Sequence, residues 1–384
     1  MRSFLYAPRM ERMDETALID AALKLLGSRL PPGWTVENGA GQVSGPGEAD
    51  ALFVFHAQSM ASGSAIVEVR PNFAAADVER LLGGLTRRLR EASGDRTILL
   101  VSEFLSPRAR ALLAEEGISY LDLTGNVRLV MQYPPIYVER TGADRRPSGS
   151  SSKRTSGLKG VMVGRVARFL AEVVPPYGVN EIERATGISR GYVSKLLDRL
   201  SDEALISREP RGPVESVDWP SILRVRGESV DLFRSNTVRT YISPNGARAA
   251  AERVAGSPLK SRLAVTGSFA AVRKAPIAAP ALLAMYIVPD GRPPAFDEIS
   301  QQLGLLRADE AADVALIWPA NDQIVRDLRP DGDLNCVNLP QLVVDCLGGT
   351  GRMPAEGEAV LAWMQENLSE WQFSSLEKYW EKRQ

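Results

Sequence analysis

The chain has 384 residues, of which 44% are hydrophobic and 24% charged, a composition typical of a globular protein with two or three domains. The net charge of −1 excludes a globally positive surface, so any nucleic-acid binding must depend on a local charge excess. Two cysteines, Cys336 and Cys346, and one histidine, His56, argue against disulfide frameworks, zinc clusters and catalytic triads. The N-terminus lacks a signal-peptide pattern, and the longest apolar run, 276–289, is too short for a bilayer. We therefore predict a cytoplasmic protein without membrane contact.

The first part of the chain alternates between strand-like and helix-like patterns. Apolar runs at 51–57, 64–70 and 96–102 are typical of strands, and 74–92 and 106–117 have the spacing of amphipathic helices. This alternation predicts a mixed α/β domain over residues 1–145. The region 142–157 is rich in Ser, Gly and Arg, and we place a linker at 146–157.

The central segment, 158–228, carries the most specific pattern. An amphipathic helix near 160–174 would bury a stripe formed by Val163, Val166, Ala167, Leu170 and Val173. The next stretch, "NEIERATG", predicts a short helix with Asn180 as its N-cap and Gly187 at its C-terminal end.

A second helix, "SRGYVSKLLDRL", follows with Ser189 as its N-cap. Its buried stripe would consist of Val193, Leu196, Leu197 and Leu200. Two helices joined by a glycine-containing turn are typical of a helix-turn-helix. Residues 205–208 and 214–217 alternate around "EPRGP", which predicts a hairpin, the wing of a winged helix-turn-helix.

This pattern favours binding to double-stranded DNA. From Lys153 to Arg226 the chain has 13 Lys/Arg and 9 Asp/Glu, a local net charge of +4. A helix fits the major groove, where Arg and Lys can reach guanine and hydroxyl groups can hold phosphate. The expected DNA-binding residues are Ser189, Arg190, Tyr192, Ser194, Lys195, Arg199, Arg208 and Arg211. The alternative is a winged helix that only contacts other proteins. A homodimer would fit paired half-sites, but no residue identifies its interface.

The last part of the chain, 236–384, returns to strand–helix alternation and predicts a further α/β domain. Its strand "RLAVTG" leads into Gly267 and Ser268, a turn that could bind an anion beside Arg273 and Lys274, although a purely conformational role for Gly267 is favoured. Both cysteines and His56 are expected to be structural. The final residues, 377–384, are expected to form a solvated helix end.

These segments together resemble the AbiEi-type family of bacterial regulators and type IV antitoxins. The resemblance is carried by "NEIERATGISRGYVSKLLDRL" with the wing, by "LLVSEFLSPRARALLAEEGISYLDLTGNVRLVM", and by "LAVTGSFAAVRKAP". It implies a restriction-endonuclease-like domain, a winged helix and a nucleotidyltransferase-like domain. The implied function is a transcriptional regulator, expected to be a repressor. The alternatives are an antitoxin that neutralises a nucleotidyltransferase-type toxin, which would be a partner, and a metal-dependent nuclease.

Catalysis by the flanking domains is not expected. A nuclease of the implied type needs two acids and a lysine, and the best match is Asp50 and Glu68 with Arg70 in the lysine position. Asp122 and Asn126 are typical of a structural turn. A nucleotidyltransferase needs acids on the strand after Gly267–Ser268, and that strand has none before Asp290. We therefore expect no enzyme activity, cofactor or metal.

Overall fold

The computed structural model describes residues 15–39, 50–57, 60–81, 97–144, 158–292 and 294–383. The chain is a mixed α/β protein that divides into two compact units. The first comprises 1–156 with 198–204, and the second comprises 157–197 with 205–384. The predicted linker at 146–157 and most of the predicted helix at 74–92 lie outside the described residues.

The first unit contains a seven-stranded sheet whose strands follow one another in chain order. The pairs β3–β4 and β4–β5 are parallel, and the other neighbours are antiparallel. Helix α1 covers one face with Leu18, Ala22 and Leu26, and α2 and α3 belong to the core of the other face. The elements are α1 (Glu15–Gly27), β1 (Trp34–Asn38), β2 (Ala51–Ala57), β3 (Met60–Val69), α2 (Asp77–Leu81), β4 (Thr97–Ser102), α3 (Pro107–Glu115), β5 (Ser119–Asp122), β6 (Val127–Met131) and β7 (Ile136–Arg140).

The second unit begins with three helices, a hairpin and a fourth helix. These elements are α4 (Val161–Glu172), α5 (Val179–Thr186), α6 (Arg190–Asp202), β8 (Ile206–Arg208), β9 (Val214–Val217) and α7 (Trp219–Ser229). Residues 198–204 are grouped with the first unit, so α6 contributes residues to both. The predicted stripe of α4 is buried, with Val163, Val166, Ala167, Leu170 and Val173 each at most 4% exposed.

The rest of the second unit is built on a seven-stranded mixed sheet with the strand order Leu306–Arg307, Thr237–Ile242, Val314–Trp318, Leu283–Ile287, Leu263–Thr266, Leu334–Cys336 and Arg329–Asp331. Trp219 and Leu223 of α7 belong to the same hydrophobic core as this sheet. This shared core explains why residues 205–384 stay in one compact unit, because apolar side chains from both parts lose water together.

The elements of this part are β10 (Thr237–Ile242), α8 (Gly246–Ala255), β11 (Leu263–Thr266), α9 (Ser268–Ala271), β12 (Leu283–Ile287), α10 (Phe296–Gln302), β13 (Leu306–Arg307), β14 (Val314–Trp318), β15 (Arg329–Asp331), β16 (Leu334–Cys336), α11 (Leu339–Leu347), α12 (Met353–Glu366), α13 (Leu368–Trp371) and α14 (Leu376–Glu381). Within the described ranges, none of these or the earlier helices is long and apolar enough to cross a bilayer.

The C-terminal residues differ from the expected solvated helix end. Tyr379 of α14 is 2% exposed, and its ring meets Phe169 of α4 edge to face, with 5.3 Å between ring centroids. The backbone N–H of Phe373 donates to the carbonyl of Glu172 at 2.7 Å. The expectation fails at Tyr379, the single aromatic residue that anchors this short helix, while the charged residues from Glu377 to Arg383 are exposed as expected.

Candidate nucleic-acid interface

The turn between α5 and α6 has a conformation that requires glycine. Gly187 ends α5 with φ +66° and ψ +21°, in the left-handed region, and its N–H donates to the carbonyl of Glu183 at 2.7 Å. A side chain at Cβ strains this conformation, so glycine is the residue that fits. Ile188 follows and is 3% exposed, which fixes the turn against the core.

The start of α5 differs from the prediction. Gly178 occupies the N-cap position, and its N–H donates to the Glu181 carboxylate at 3.0 Å. Asn180, the predicted N-cap, is the second residue of the helix. The carboxylate of the third helical residue therefore accepts the N–H of the N-cap residue. This hydrogen bond is one half of a capping box.

Helix α6 has one apolar side and one polar side. Val193, Leu196, Leu197 and Leu200 are each at most 5% exposed, as the spacing predicted. On the other faces Ser189, Arg190 and Lys195 are exposed, and Tyr192, Ser194 and Arg199 are half-buried. Six of the expected DNA-binding residues are thus grouped on or beside the first three turns of one helix. Arg199 also interacts with other residues of the protein.

Arg190 is held in an ion pair at the start of α6. Its Nε lies 3.0 Å from Glu183 Oε2, and the two side chains are 68% and 36% exposed. An exposed pair of this kind contributes little stability. The guanidinium can therefore exchange the carboxylate for another anion.

The hairpin pairs with an earlier part of the chain. Strands β8 and β9 are antiparallel, with a register shift between Ser207 and Arg208. Tyr177, between α4 and α5, forms an antiparallel bridge with Val214 of β9, in which the Val214 N–H donates to the Tyr177 carbonyl at 2.8 Å. This bridge adds a third extended segment, so that β9 is paired on both sides.

The hairpin tip and its base present two arginines differently. Arg211 is exposed at the tip and has φ +64°, a conformation uncommon for a residue with a side chain. Arg208 is half-buried at the end of β8 and interacts with residues of the protein. Of the two, Arg211 has the side chain that is open to an external ligand.

The first unit brings the predicted nuclease-type residues together, but with an arginine against the acids. The Arg70 guanidinium contacts Glu68 and lies 3.7 Å from Asp50 Oδ2, which also accepts the Val69 N–H at 2.6 Å. Burial raises the pKa of Glu68 to about 7, while Arg70 opposes this and Asp50 adds to it. A cation already occupies the space beside the Glu68 carboxylate, so these residues do not fit a catalytic divalent metal.

The "DLTGN" segment is the structural turn that its residue types predicted. The Asp122 carboxylate accepts the backbone N–H groups of Leu105 at 2.9 Å, Thr124 at 2.9 Å and Asn126 at 3.1 Å. Both Asp122 and Asn126 are fully buried. The carboxylate and amide groups of this turn form hydrogen bonds with the protein backbone, so their role is to stabilise the fold.

The turn at Gly267 is explained by packing. Gly267 has φ +63°, and a Cβ there would lie 2.8 Å from Met353 Cε. Arg273 and Lys274 are engaged elsewhere: Arg273 Nη2 donates to Asp333 Oδ1 at 2.6 Å, and Lys274 Nζ lies 4.8 Å from the ring centroid of Trp363. This geometry favours the conformational role of the glycine.

Two buried acids beside this turn were missed by the sequence analysis. Asp345 of α11 accepts the hydroxyls of Thr266 at 2.7 Å and Tyr286 at 3.2 Å, and Glu356 of α12 accepts the hydroxyl of Ser268. Burial raises the pKa of Asp345 to about 6. Both acids lie in apolar helical patterns, 59 to 88 residues beyond their hydroxyl partners in the chain, so no local signal connects them.

The surroundings of the two cysteines and of His56 favour a structural role for each. Cys336 and Cys346 are buried free thiols, and burial raises the pKa of Cys336 to about 11. His56 contacts Ser62 Oγ at 2.7 Å and Glu37 Oε1 at 3.1 Å on an exposed part of β2. Within the part of the chain that the structure describes, no three His, Cys, Asp or Glu side chains are grouped as metal ligands.

No protein-family model matches the chain, and no curated protein and no solved structure matches it either.

Proposed function

We propose that residues 158–228 form a winged helix-turn-helix and that the protein is a sequence-specific DNA-binding transcriptional regulator of the AbiEi type. The observation that carries the proposal is the element order α4, bridge at Tyr177, α5, α6, β8 and β9. In a winged helix this order leaves one face of the second helix of the pair free for the major groove.

The distribution of polar residues supports the same proposal. Arg190 and Lys195 are exposed on α6, and Arg211 is exposed at the hairpin tip. Arginine and lysine suit guanine edges and phosphate, and an arginine at a wing tip suits the minor groove. Ser189, Tyr192 and Ser194 would add hydroxyl contacts to phosphate or base edges.

The test is recovery of bound fragments from genomic DNA with the full chain, followed by a band-shift assay on the fragments recovered. We expect sequence-selective, salt-sensitive binding that Arg190→Gln with Lys195→Gln abolishes. The matched control is Arg234→Gln with Arg248→Gln, because these two side chains are 91% and 90% exposed outside the segment. Binding without sequence preference, or equal loss in both double variants, would refute the proposal.

We propose further that the first unit has no nuclease activity. The guanidinium of Arg70 against Glu68 supports this. The test is incubation of duplex and single-stranded DNA with the full chain and magnesium or manganese. Metal-dependent cleavage that is lost in Glu68→Ala would overturn this part of the proposal.

A further inference from the structure

Two adjoining depressions in the second unit are lined by arginines. They share Arg165, Arg168 and Gln323, and each encloses only about 20 to 30 Å³ of space. We call them together the arginine cleft. Its five arginines are Arg165, Arg168, Arg226, Arg326 and Arg383, and the carboxylate among its lining residues is Glu172.

Two of these arginines have structural partners. Arg168 donates to the carbonyl of Gln323 at 3.0 Å and to Asp327 Oδ2 at 3.1 Å, and Arg383 contacts the same carboxylate. Arg168 Nε also lies 3.8 Å from Glu172 Oε1. These contacts hold the loop at 323–327 and the C-terminal residues against α4.

Arg165 and Arg326 have no such role. Among the described residues, neither lies within ion-pair distance of a carboxylate. Arg326 donates only a long hydrogen bond, 3.3 Å, to Gln323 Oε1. Burial lowers the pKa of Arg165, and the positive charges of Arg326 and Arg168 lower it further. The pair therefore repels across the cleft without an internal counter-ion.

Arg226 adds a third recessed positive charge. It is half-buried, donates to the carbonyl of Leu158, and has no ion pair with a carboxylate in the described ranges. Burial lowers its pKa, with a partial opposing effect from Asp345. Positive charges that lie close together in a partly buried site destabilise the folded state unless a bound anion compensates them.

The chemistry of the cleft suits a ligand that carries phosphoryl groups. Arg165 and Arg226 are half-buried and Arg326 is exposed, so a ligand would reach them from solvent. The enclosed space has room for only one or two waters, so a ligand would lie across the mouths of the depressions. Guanidinium groups bind phosphate through paired N–H donors, and two depressions that share a wall suit a ligand with more than one phosphoryl group.

We propose that the arginine cleft binds a ligand carrying a di- or triphosphate group, held by Arg165 and Arg326 with Arg226. The site does not depend on the DNA-binding function proposed above. Arg168 and Arg383 position the walls, and Gln323 offers an amide to the ligand.

The experiment is isothermal titration calorimetry of the full chain with inorganic pyrophosphate and with ADP, at constant ionic strength. We expect saturable one-to-one binding, with orthophosphate and sulfate weaker. Arg165→Gln or Arg326→Gln should weaken it by about tenfold or more, the effect of losing one charge-assisted hydrogen bond. Arg248→Gln, a 90% exposed control, should leave it unchanged. Circular dichroism checks that each variant is folded.

Three results would overturn the proposal. One is the absence of saturable binding to both probes, and another is equal weakening in the Arg248→Gln control. The third comes from duplex DNA of arbitrary sequence as a parallel titrant. If the cleft variants lower DNA affinity and its salt dependence while pyrophosphate does not bind, the arginines hold the DNA backbone instead.

Discussion

At the scale of single residues, Arg190 is the side chain whose surroundings most affect the proposed interface. Its guanidinium is paired with Glu183 at 3.0 Å. DNA binding through Arg190 must replace or share this carboxylate, which also repels phosphate. The sequence placed both residues but could not show the pair, because they lie on different helices.

Removing the carboxylate should therefore strengthen DNA binding. We expect Glu183→Gln to raise affinity a few-fold, because an exposed ion pair is worth up to about 1 kcal/mol. In an Arg190→Gln background the same change should have a smaller effect, since the pair is already absent. Fluorescence anisotropy on a recovered binding fragment, over the four variants of this double-mutant cycle, measures the coupling. Equal gains in DNA affinity in both backgrounds would show that Glu183 does not act through its ion pair with Arg190.

Burial raises the pKa of Glu68 to about 7. Its side chain is 3% exposed. Over the window from its ordinary value of 4.5 to about 7, the folded state keeps a proton that the unfolded state loses. The stabilisation is therefore present below pH 4.5 and is lost as pH rises through 7.

The variant Glu68→Gln removes this titration, so its free energy of unfolding should fall less between pH 4.5 and 7 than that of the wild type. The difference is up to about 3 kcal/mol, at about 1.4 kcal/mol per pH unit. Urea denaturation followed by ¹⁹F NMR of 5-fluorotryptophan reports on the first unit, since Trp34 is the one tryptophan within 1–156. Glu115→Gln, on the exposed side of α3, is the control and should keep the wild-type pH profile.

At the scale of elements, two glycines near the same turn should respond in opposite ways to the same substitution. Gly187 has φ +66°, where an alanine side chain costs about 1 to 2 kcal/mol. Gly191 is the second residue of α6, and a Cβ there meets no atom within 4 Å. Alanine in a helix is more stable than glycine by up to about 1 kcal/mol.

We therefore expect Gly187→Ala to lower the free energy of unfolding and Gly191→Ala to raise it. Urea denaturation followed by the ¹⁹F signal of Trp219, which is buried at the start of α7, measures both. The larger Gly191→Leu should keep the fold and weaken DNA binding, because its side chain would enter the proposed groove-facing surface. A stable Gly191→Leu protein with unchanged DNA affinity would place that face of α6 away from DNA.

Local periodicity explains which elements the sequence could predict. The stripes of α4 and α6 and the turn at Gly187 follow from residues within one or two helical turns of each other. The bridge between Tyr177 and Val214 and the burial of Tyr379 do not, because each depends on a partner distant in the chain. The same holds for Arg165 and Arg326, which lie 161 positions apart and whose proximity no pattern in α4 suggests.

At the scale of the whole molecule, the net charge is −1, while the segment from Lys153 to Arg226 carries +4. The remainder must then carry −5. At physiological salt, charges on exposed surfaces are screened beyond roughly 8 Å. Binding to a polyanion should therefore respond to the few cations that touch it and not to the total charge.

Because of this screening, we expect different salt dependences for two groups of variants. Lys195→Gln and Arg211→Gln should each lower the slope of log affinity against log salt by about 1, if each contacts one phosphate. Glu115→Gln with Glu366→Gln removes two exposed negative charges outside 158–228 and brings the net charge to +1, yet should leave the slope unchanged. Anisotropy titrations on one recovered fragment, repeated at several salt concentrations, compare them. If the double glutamate variant changes the slope as much as the lysine variant does, the molecule binds DNA through its overall field, and the local interface assigned to α6 and the hairpin is wrong.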